Sequence, residues 1–303
     1  MPAVVVNPVG LKDPLQLRIQ ITSVCVELGW QPPLWLQTTI DDPGKGQTAA
    51  ALAAGADVVL ACGGDGTVRH VAQVLAGSGT PMGLLPTGTA NLLARNLAIA
   101  RRDLVAATRI ALSGKTRAID VGWVLIDDRA DEHIFLVMAG MGFDAAMMAD
   151  TTEGMKRFAG WPAYVVSGLR HLRDPVMHLR MRIDDGPTLR RSARTVLVGN
   201  VGQLEGGLEL LPDAAADDGL LDVVVVAPRT LGDWLRVAYR VARHRGRDRH
   251  LERFQGHTIS IAADRVVPRQ IDGEVIDEGQ RIDVHVEPGA LVVRVPQSAA
   301  AAA

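Results

Sequence analysis

The chain is short of cysteine, of net charge and of long apolar runs, and each shortage removes a class of protein. Cysteine occurs twice in 303 residues, at Cys25 and Cys62. That is too few for a disulfide framework and gives no metal-type spacing, so a reducing, cytoplasmic compartment with two buried thiols is expected. Lys and Arg number 32 against 34 Asp and Glu, for a net charge of -2; nucleic acid, which normally needs a basic face, is not an expected partner. No apolar run approaches the ~18 residues that cross a bilayer. The opening Met1-Pro2-Ala3-Val4-Val5-Val6-Asn7-Pro8 lacks a basic leader and is stopped by Pro8, so it reads as a strand and not a signal peptide. What remains is a soluble protein, or one that rests on a membrane surface, with 48% apolar and 22% charged residues and length for two domains.

Two glycine-broken turns dominate what is present. Val58-Val59-Leu60-Ala61-Cys62 runs into Gly63-Gly64-Asp65-Gly66-Thr67 and a helical stretch; Gly83-Leu84-Leu85 runs into Pro86-Thr87-Gly88-Thr89-Ala90-Asn91 and another. Glycine leaves no Cβ between backbone and ligand, and the helix that follows adds unpaired N–H groups and the positive end of its dipole. Such turns suit phosphate. No Gly-Lys-Ser/Thr follows, so neither is a Walker A loop. Backbone amides, the Thr67 and Thr89 hydroxyls and a metal ion would do the holding, with Asp65 as metal or water partner. The plain alternative is tight closure of strand-to-helix connections.

Residues 1–120 alternate short apolar strands (4–6, 34–37, 58–61 and 83–85) with helices that end at Gly29, Gly55, Gly77 and Gly114. This alternation predicts a parallel sheet in an α/β nucleotide-binding domain, with ligands outside the strands' carboxyl ends. From about residue 121 the apolar period becomes two, as in His178-Leu179-Arg180-Met181-Arg182-Ile183 and Ile282-Asp283-Val284-His285-Val286-Glu287. Residues 121–297 therefore read as a mostly antiparallel β domain carrying the substrate side, with helical stretches near 145–172 and 231–243 and a cleft between the domains. Residues 298–303, Ser298 and five alanines, read as a frayed tail.

Taken in order, these motifs resemble the diacylglycerol kinase and sphingosine kinase superfamily, in particular its soluble bacterial lipid kinases. Asn7-Pro8 opens the pattern, and the two glycine turns follow. Gly140-Met141-Gly142-Phe143-Asp144-Ala145 comes next, with Lys156, Gly160 and Tyr164 on the helix behind it. Asn200, Gly206-Gly207, the acidic run from Leu211 to Asp222, and Ile271-Asp272-Gly273-Glu274 complete it. The chain departs from the family at Arg69 and His70, where Asn and Glu are common. Gly-Gly-Asp-Gly-Thr alone is shared with NAD kinases.

The resemblance implies transfer of the γ-phosphate of ATP to a lipid hydroxyl, of diacylglycerol or a related lipid, with magnesium. It assigns the nucleotide to Asn7, Thr39, Gly63, Gly64, Asp65, Gly66, Thr67, Gly88, Thr89 and Asn91, Thr38 being an alternative to Thr39. Glu274 is the implied general base, assisted by Asp272, although Asp272-Gly273 also reads as a hairpin turn. Magnesium is implied at Asp218 and the carbonyls of Ala215 and Leu220; the run alone also reads as a solvated turn. The basic stretch at 236–250 reads as a solvated helix end or as a contact with anionic phospholipid at the inner membrane face. Met147, Met148, Trp161 and Tyr164 read as core or as an acyl-chain entrance. A homodimer is expected from the family. The competing readings are a kinase of a soluble acceptor such as NAD, and a nucleotide-binding protein without turnover.

Overall fold

A computed structural model describes residues 1–127, 132–142, 176–203, 210–228, 230, 232–233 and 251–297. The chain divides into two compact units, Met1–Val121 with Gly289–Ala303, and Gly122–Pro288. Residues 289–297, assigned by sequence to the second domain, thus count with the first. Their backbone explains it: Val293 pairs with Met82, and the Gly77 N–H donates to the Ala290 carbonyl.

The first unit is a parallel sheet of β1 (Pro2–Val6), β2 (Leu34–Gln37), β3 (Val58–Gly63) and β4 (Met82–Pro86), in the spatial order β2-β1-β3-β4. β1, β3 and β4 are buried throughout, which is why they read as unbroken apolar runs. The connections are α1 (Pro14–Glu27), α2 (Lys45–Ala53) and α3 (Asp65–Leu75), followed by α4 (Leu92–Asn96) and α5 (Leu104–Ser113). Asp13 and Asp103 cap α1 and α5 by accepting from the Gln16 and Ala106 amides. Gly29, Gly55 and Gly77 end helices with positive φ, as expected. Gly114 differs: its φ is -70, and glycine is needed because a Cβ would meet the Val295 and Ile110 carbonyl oxygens. The chain leaves β1 toward one edge and β3 toward the other, so their carboxyl ends flank the topological switch point.

The second unit is antiparallel. β7 (Met138–Gly142), β10 (Thr195–Gly199), β11 (Leu221–Val226) and β12 (Leu251–Gly256) pair in that order. β13 (Thr258–Ile271) and β14 (Glu274–Val295) form a long hairpin. β13 pairs with β8 (Met177–Ile183) over its first half and with β7 over its last residues, changing neighbour across a register irregularity after Ala262. Such irregularities bend a strand. β9 (Leu189–Ala193) extends β8, and β5 (Lys115–Ile126) pairs with β6 (Glu132–Phe135). The core gathers Phe135, Met141, Leu179, Met181, Val196, Val223, Ile261 and Val284. The fold is α/β, with an N-terminal parallel domain and a C-terminal β domain. Residues 298–303 lie outside the described residues, as do the stretches at 145–172 and 234–250.

Candidate active site

β3 delivers the first glycine turn to the switch point. At Gly63 a Cβ would fall 2.5 Å from both Cβ and Oγ1 of Thr67, so glycine there lets the first turn of α3 fold over the strand end. Thr67 is consequently buried, and its Oγ1 accepts from Asn7 Nδ2 at 3.4 Å. Asn7 itself is tied to β3 through its N–H to the Cys62 carbonyl, and its Oδ1 accepts from the Val9 amide. Gly64 is the N-cap of α3 and offers no capping side chain. An α-helix leaves its first-turn N–H groups without intrahelical partners, and a glycine N-cap puts no side chain of its own over them, which favours an anion.

The second turn lies directly on the first. The Thr87 N–H donates to the Gly63 carbonyl. A Cβ on Gly88 would lie 2.5 Å from Gly64 Cα, so the two turns meet backbone to backbone with no side chain between them. Gly88 and Thr89 are exposed. Asn91 takes a left-handed φ of 48 and donates from Nδ2 to the Gly88 carbonyl at 2.6 Å. Asp65 reaches across: its Oδ1 accepts from the Leu92 amide at 2.7 Å, at the start of α4. This carboxylate thus clamps the second turn to the first. Cys62 lies fully buried beneath; burial pushes its thiol up to about 12, against a hydrogen bond with Thr87, so it stays protonated.

Thr39, exposed at the carboxyl end of β2, is held locally, accepting through Oγ1 from the Asp42 amide. Thr38 is buried and its N–H donates to the Val6 carbonyl. With β1 between β2 and β3, Asn7 adjoins the first glycine turn and Thr39 stands one strand further off.

In the second unit, Asp272 and Gly273 have φ of 49 and 83 and close the β13–β14 hairpin, with Ile271 paired to Glu274. The hairpin reading of these residues holds. Asp272 is buried, and its carboxylate accepts from the amides of Leu136, Val137 and Met138, the latter two at 2.8 and 3.0 Å through Oδ1. Its Oδ1 is thus engaged by backbone. Gln270 Oε1 accepts from Gly273 N–H at 2.8 Å. Glu274, in contrast, is exposed at the head of β14, on a turn fixed from both sides.

Asp218 accepts the Leu220 amide on Oδ1 at 2.9 Å, a local turn. Asp222 nearby is buried; burial, then the charges of Asp218 and Asp213, push its carboxyl up to about 6 despite a hydrogen bond with Gln255. Among the described residues no three His, Cys, Asp or Glu side chains gather as a metal cluster. A site built from one carboxylate and two carbonyls would not form such a cluster. The donor set is oxygen alone, and crowded carboxylates are what a divalent cation relieves, so these residues fit magnesium.

Two features escaped the sequence. One is the Asp65 clamp. The other is Arg269, buried on β13, whose guanidinium pairs with Asp127 at 2.6 Å and Asp277 at 2.8 Å and donates to the carbonyls of Arg281 and Glu278. The Asp277 spacing and an arginine in an apolar strand were the available signals, but neither reveals a partner. Residues 143–145, Met147, Met148, Lys156, Gly160, Trp161, Tyr164, Gly206-Gly207 and 236–250 lie outside the described residues.

Comparison with known proteins identifies both units. Residues 3–124 match the diacylglycerol kinase catalytic domain, and residues 137–295 match the YegS C-terminal NAD kinase beta sandwich-like domain. A Pseudomonas fluorescens protein named "Probable lipid kinase YegS-like" is 35% identical over 250 residues, 82% of this chain and 80% of that protein. A Mycobacterium tuberculosis diacylglycerol kinase is 35% identical over 178 residues, 58% of this chain and 57% of its own. The fold is shared with a diacylglycerol kinase from Bacillus anthracis (TM-score 0.74, 19% identity, 97% of this chain and 96% of that one). It is shared more distantly with an Archaeoglobus fulgidus NAD kinase (TM-score 0.51, 15% identity, 97% and 93%). This chain belongs to the diacylglycerol kinase family of lipid kinases, with the catalytic domain in its N-terminal part and the YegS-type domain after it.

Proposed function

We propose that this kinase moves the γ-phosphate of ATP to the hydroxyl of diacylglycerol or a related lipid. The observation that carries the phosphate half of this reading is the direct apposition of Gly64 and Gly88 at the switch point, beside an α3 N-terminus whose N-cap is a glycine. The α3 amides and the exposed Gly88-Thr89 backbone hold the phosphate oxygens, Asn7 and Thr67 brace the turn, and Thr39 borders the nucleotide. Asp65 acts on the nucleotide by keeping the two turns together.

Glu274 is the general base. As the lipid oxygen bonds to the γ-phosphorus, the bond from that phosphorus to the β,γ-bridging oxygen breaks and ADP leaves; the hydroxyl proton passes to the Glu274 carboxylate and then to water. A base needs a fixed position, and Asp272 with Gln270 supplies one by anchoring the turn. Magnesium at Asp218, Ala215 and Leu220 would neutralise the acidic loop. The names of the relatives favour a lipid acceptor. No helix among the described residues is long and apolar enough to cross a membrane; the reading includes a cytoplasmic enzyme that meets its substrate at the inner membrane face, and self-association as a homodimer, which sedimentation would test.

Incubation with labelled ATP and a panel of diacylglycerol, ceramide, sphingosine, phosphatidylglycerol and NAD tests this. Label in a lipid supports it, and label in NAD alone overturns it.

A further inference from the structure

The outer face of the sheet formed by β9, β8, β13 and β14 carries a charge imbalance that phosphoryl transfer does not use. Alternation sends Met177, Leu179 and Met181 of β8 into the core and leaves His178, Arg180 and Arg182 exposed. Register carries this across the strands. Arg281 of β14 stands opposite Ala262 of β13, Ala262 opposite Arg180, and Arg180 opposite Arg190 of β9, so one row holds three arginines broken by an alanine. The next row holds Asp283, Ser260 and Arg182. Over the alanine opens a hollow of about 630 Å³ bordered by Arg180, Arg182, Arg281, Thr188 and Ser260, with one carboxylate, Asp127, on its wall. Arg180 also borders a second, of about 450 Å³, with His178, Arg190 and Arg191.

The neighbouring acids are already engaged. Asp283 pairs with Arg281, Glu252 with Arg191, Asp264 with His178 and Asp127 with Arg269. Among the described residues, no carboxylate pairs with Arg180, Arg182 or Arg190. Like charges directly opposite on adjacent strands destabilise a sheet, so folding does not account for Arg180 beside Arg190. An anionic partner does, since these side chains are positively charged throughout the physiological range.

We propose that this face docks the protein on an anionic phospholipid bilayer; the choice of a bilayer rests on the lipid kinase reading. The cationic surface crosses four strands, roughly 14 Å, and includes two hollows that share Arg180 as a border. Exposed arginines spread over that width complement the negative charge of a phosphate layer. The α3 phosphate site belongs to the other unit.

The test is sedimentation of the full chain with vesicles of phosphatidylcholine alone or of phosphatidylcholine and phosphatidylglycerol in equal parts. Wild type should bind only the anionic vesicles, less tightly as salt rises. Replacing Arg180→Gln, Arg182→Gln and Arg190→Gln together should weaken binding on the order of a hundredfold, about fivefold per arginine. The matching triple lysine variant should retain it, and the unfolding temperature of the glutamine variant should be unchanged or higher. Equal binding by wild type and the glutamine variant, or no wild-type binding, overturns the docking face. So does calorimetry in which inorganic phosphate binds wild type but not the glutamine variant while vesicles bind both alike, since that describes a discrete anion site. Transfer to lipid in detergent micelles, run alongside, should be the same in both. If wild type transfers nothing to micellar lipid, the kinase reading fails and the vesicle result still decides the docking face.

Discussion

Replacing Gly88 by alanine puts a methyl carbon 2.5 Å from Gly64 Cα, 3.1 Å from Asn91 Oδ1 and 3.3 Å from the Gly64 nitrogen. Carbon atoms rest at ~3.5–4.0 Å, so the two turns must part by about 1 Å. Overpacking of this kind costs ~1–3 kcal/mol. Gly64→Ala is the control: its nearest neighbour would be Gly88 Cα at 3.5 Å, an ordinary contact, and its φ of -91 suits any residue. It gives up only glycine's preference as a cap, ~1 kcal/mol at most. It does place a methyl group where phosphate approaches the α3 N-terminus. Thermal unfolding and calorimetric titration with a non-hydrolysable ATP analogue should separate the two variants. Gly88→Ala should lose both stability and nucleotide affinity, whereas Gly64→Ala should stay near wild-type stability and bind at least ~10-fold more weakly, about 1.4 kcal/mol. Wild-type nucleotide affinity in Gly64→Ala would refute the assignment of these turns to phosphate.

Asp272→Ala leaves the Leu136, Val137 and Met138 amides without their carboxylate acceptor in a buried position, at ~1–3 kcal/mol for each unsatisfied group; chemical denaturation should show a loss of several kcal/mol, and Asp272→Asn, which keeps one acceptor oxygen, a smaller one. Arg269→Met removes the buried guanidinium from Asp127 and Asp277, both partly exposed, and should cost ~1–3 kcal/mol by the same assay. Burial works to raise the Asp127 carboxyl, but Arg269 and the amides of Arg281 and Gln280 outweigh it and hold the pKa below its ordinary value. The Asp127 contribution to stability is therefore complete above the unfolded pKa of ~3.9 and drains as pH falls through the lower folded value. Denaturation curves taken from neutral pH down to acid should show this loss in wild type and a smaller one in Arg269→Met.

Much of this was open to reading because it is local. β2 occupies the expected residues 34–37, and Gly29, Gly55 and Gly77 close helices as their chemistry demands. Asp272-Gly273 makes a tight hairpin because both residues tolerate positive φ. What stayed hidden depends on contacts between distant residues. Asp65 sits in a phosphate-type motif, yet its partner is Leu92, 27 residues on, and only the packing of one turn upon the other brings them together. The contact of Thr67 with Asn7 is of the same kind, since it depends on the missing Cβ of Gly63, which lets the first turn of α3 fold over the strand end. The return of residues 289–297 to the first unit is set by a pairing with Met82, across 211 positions of sequence that carry no mark of it.

Single-turnover transfer from labelled ATP to diacylglycerol in mixed micelles, with Glu274→Gln beside wild type, bears on the proposal at its centre. Wild type should give labelled lipid, and the variant's rate should fall ~100- to 10,000-fold with nucleotide affinity unchanged. Transfer at the wild-type rate by Glu274→Gln, or no labelled lipid from wild type, would contradict it.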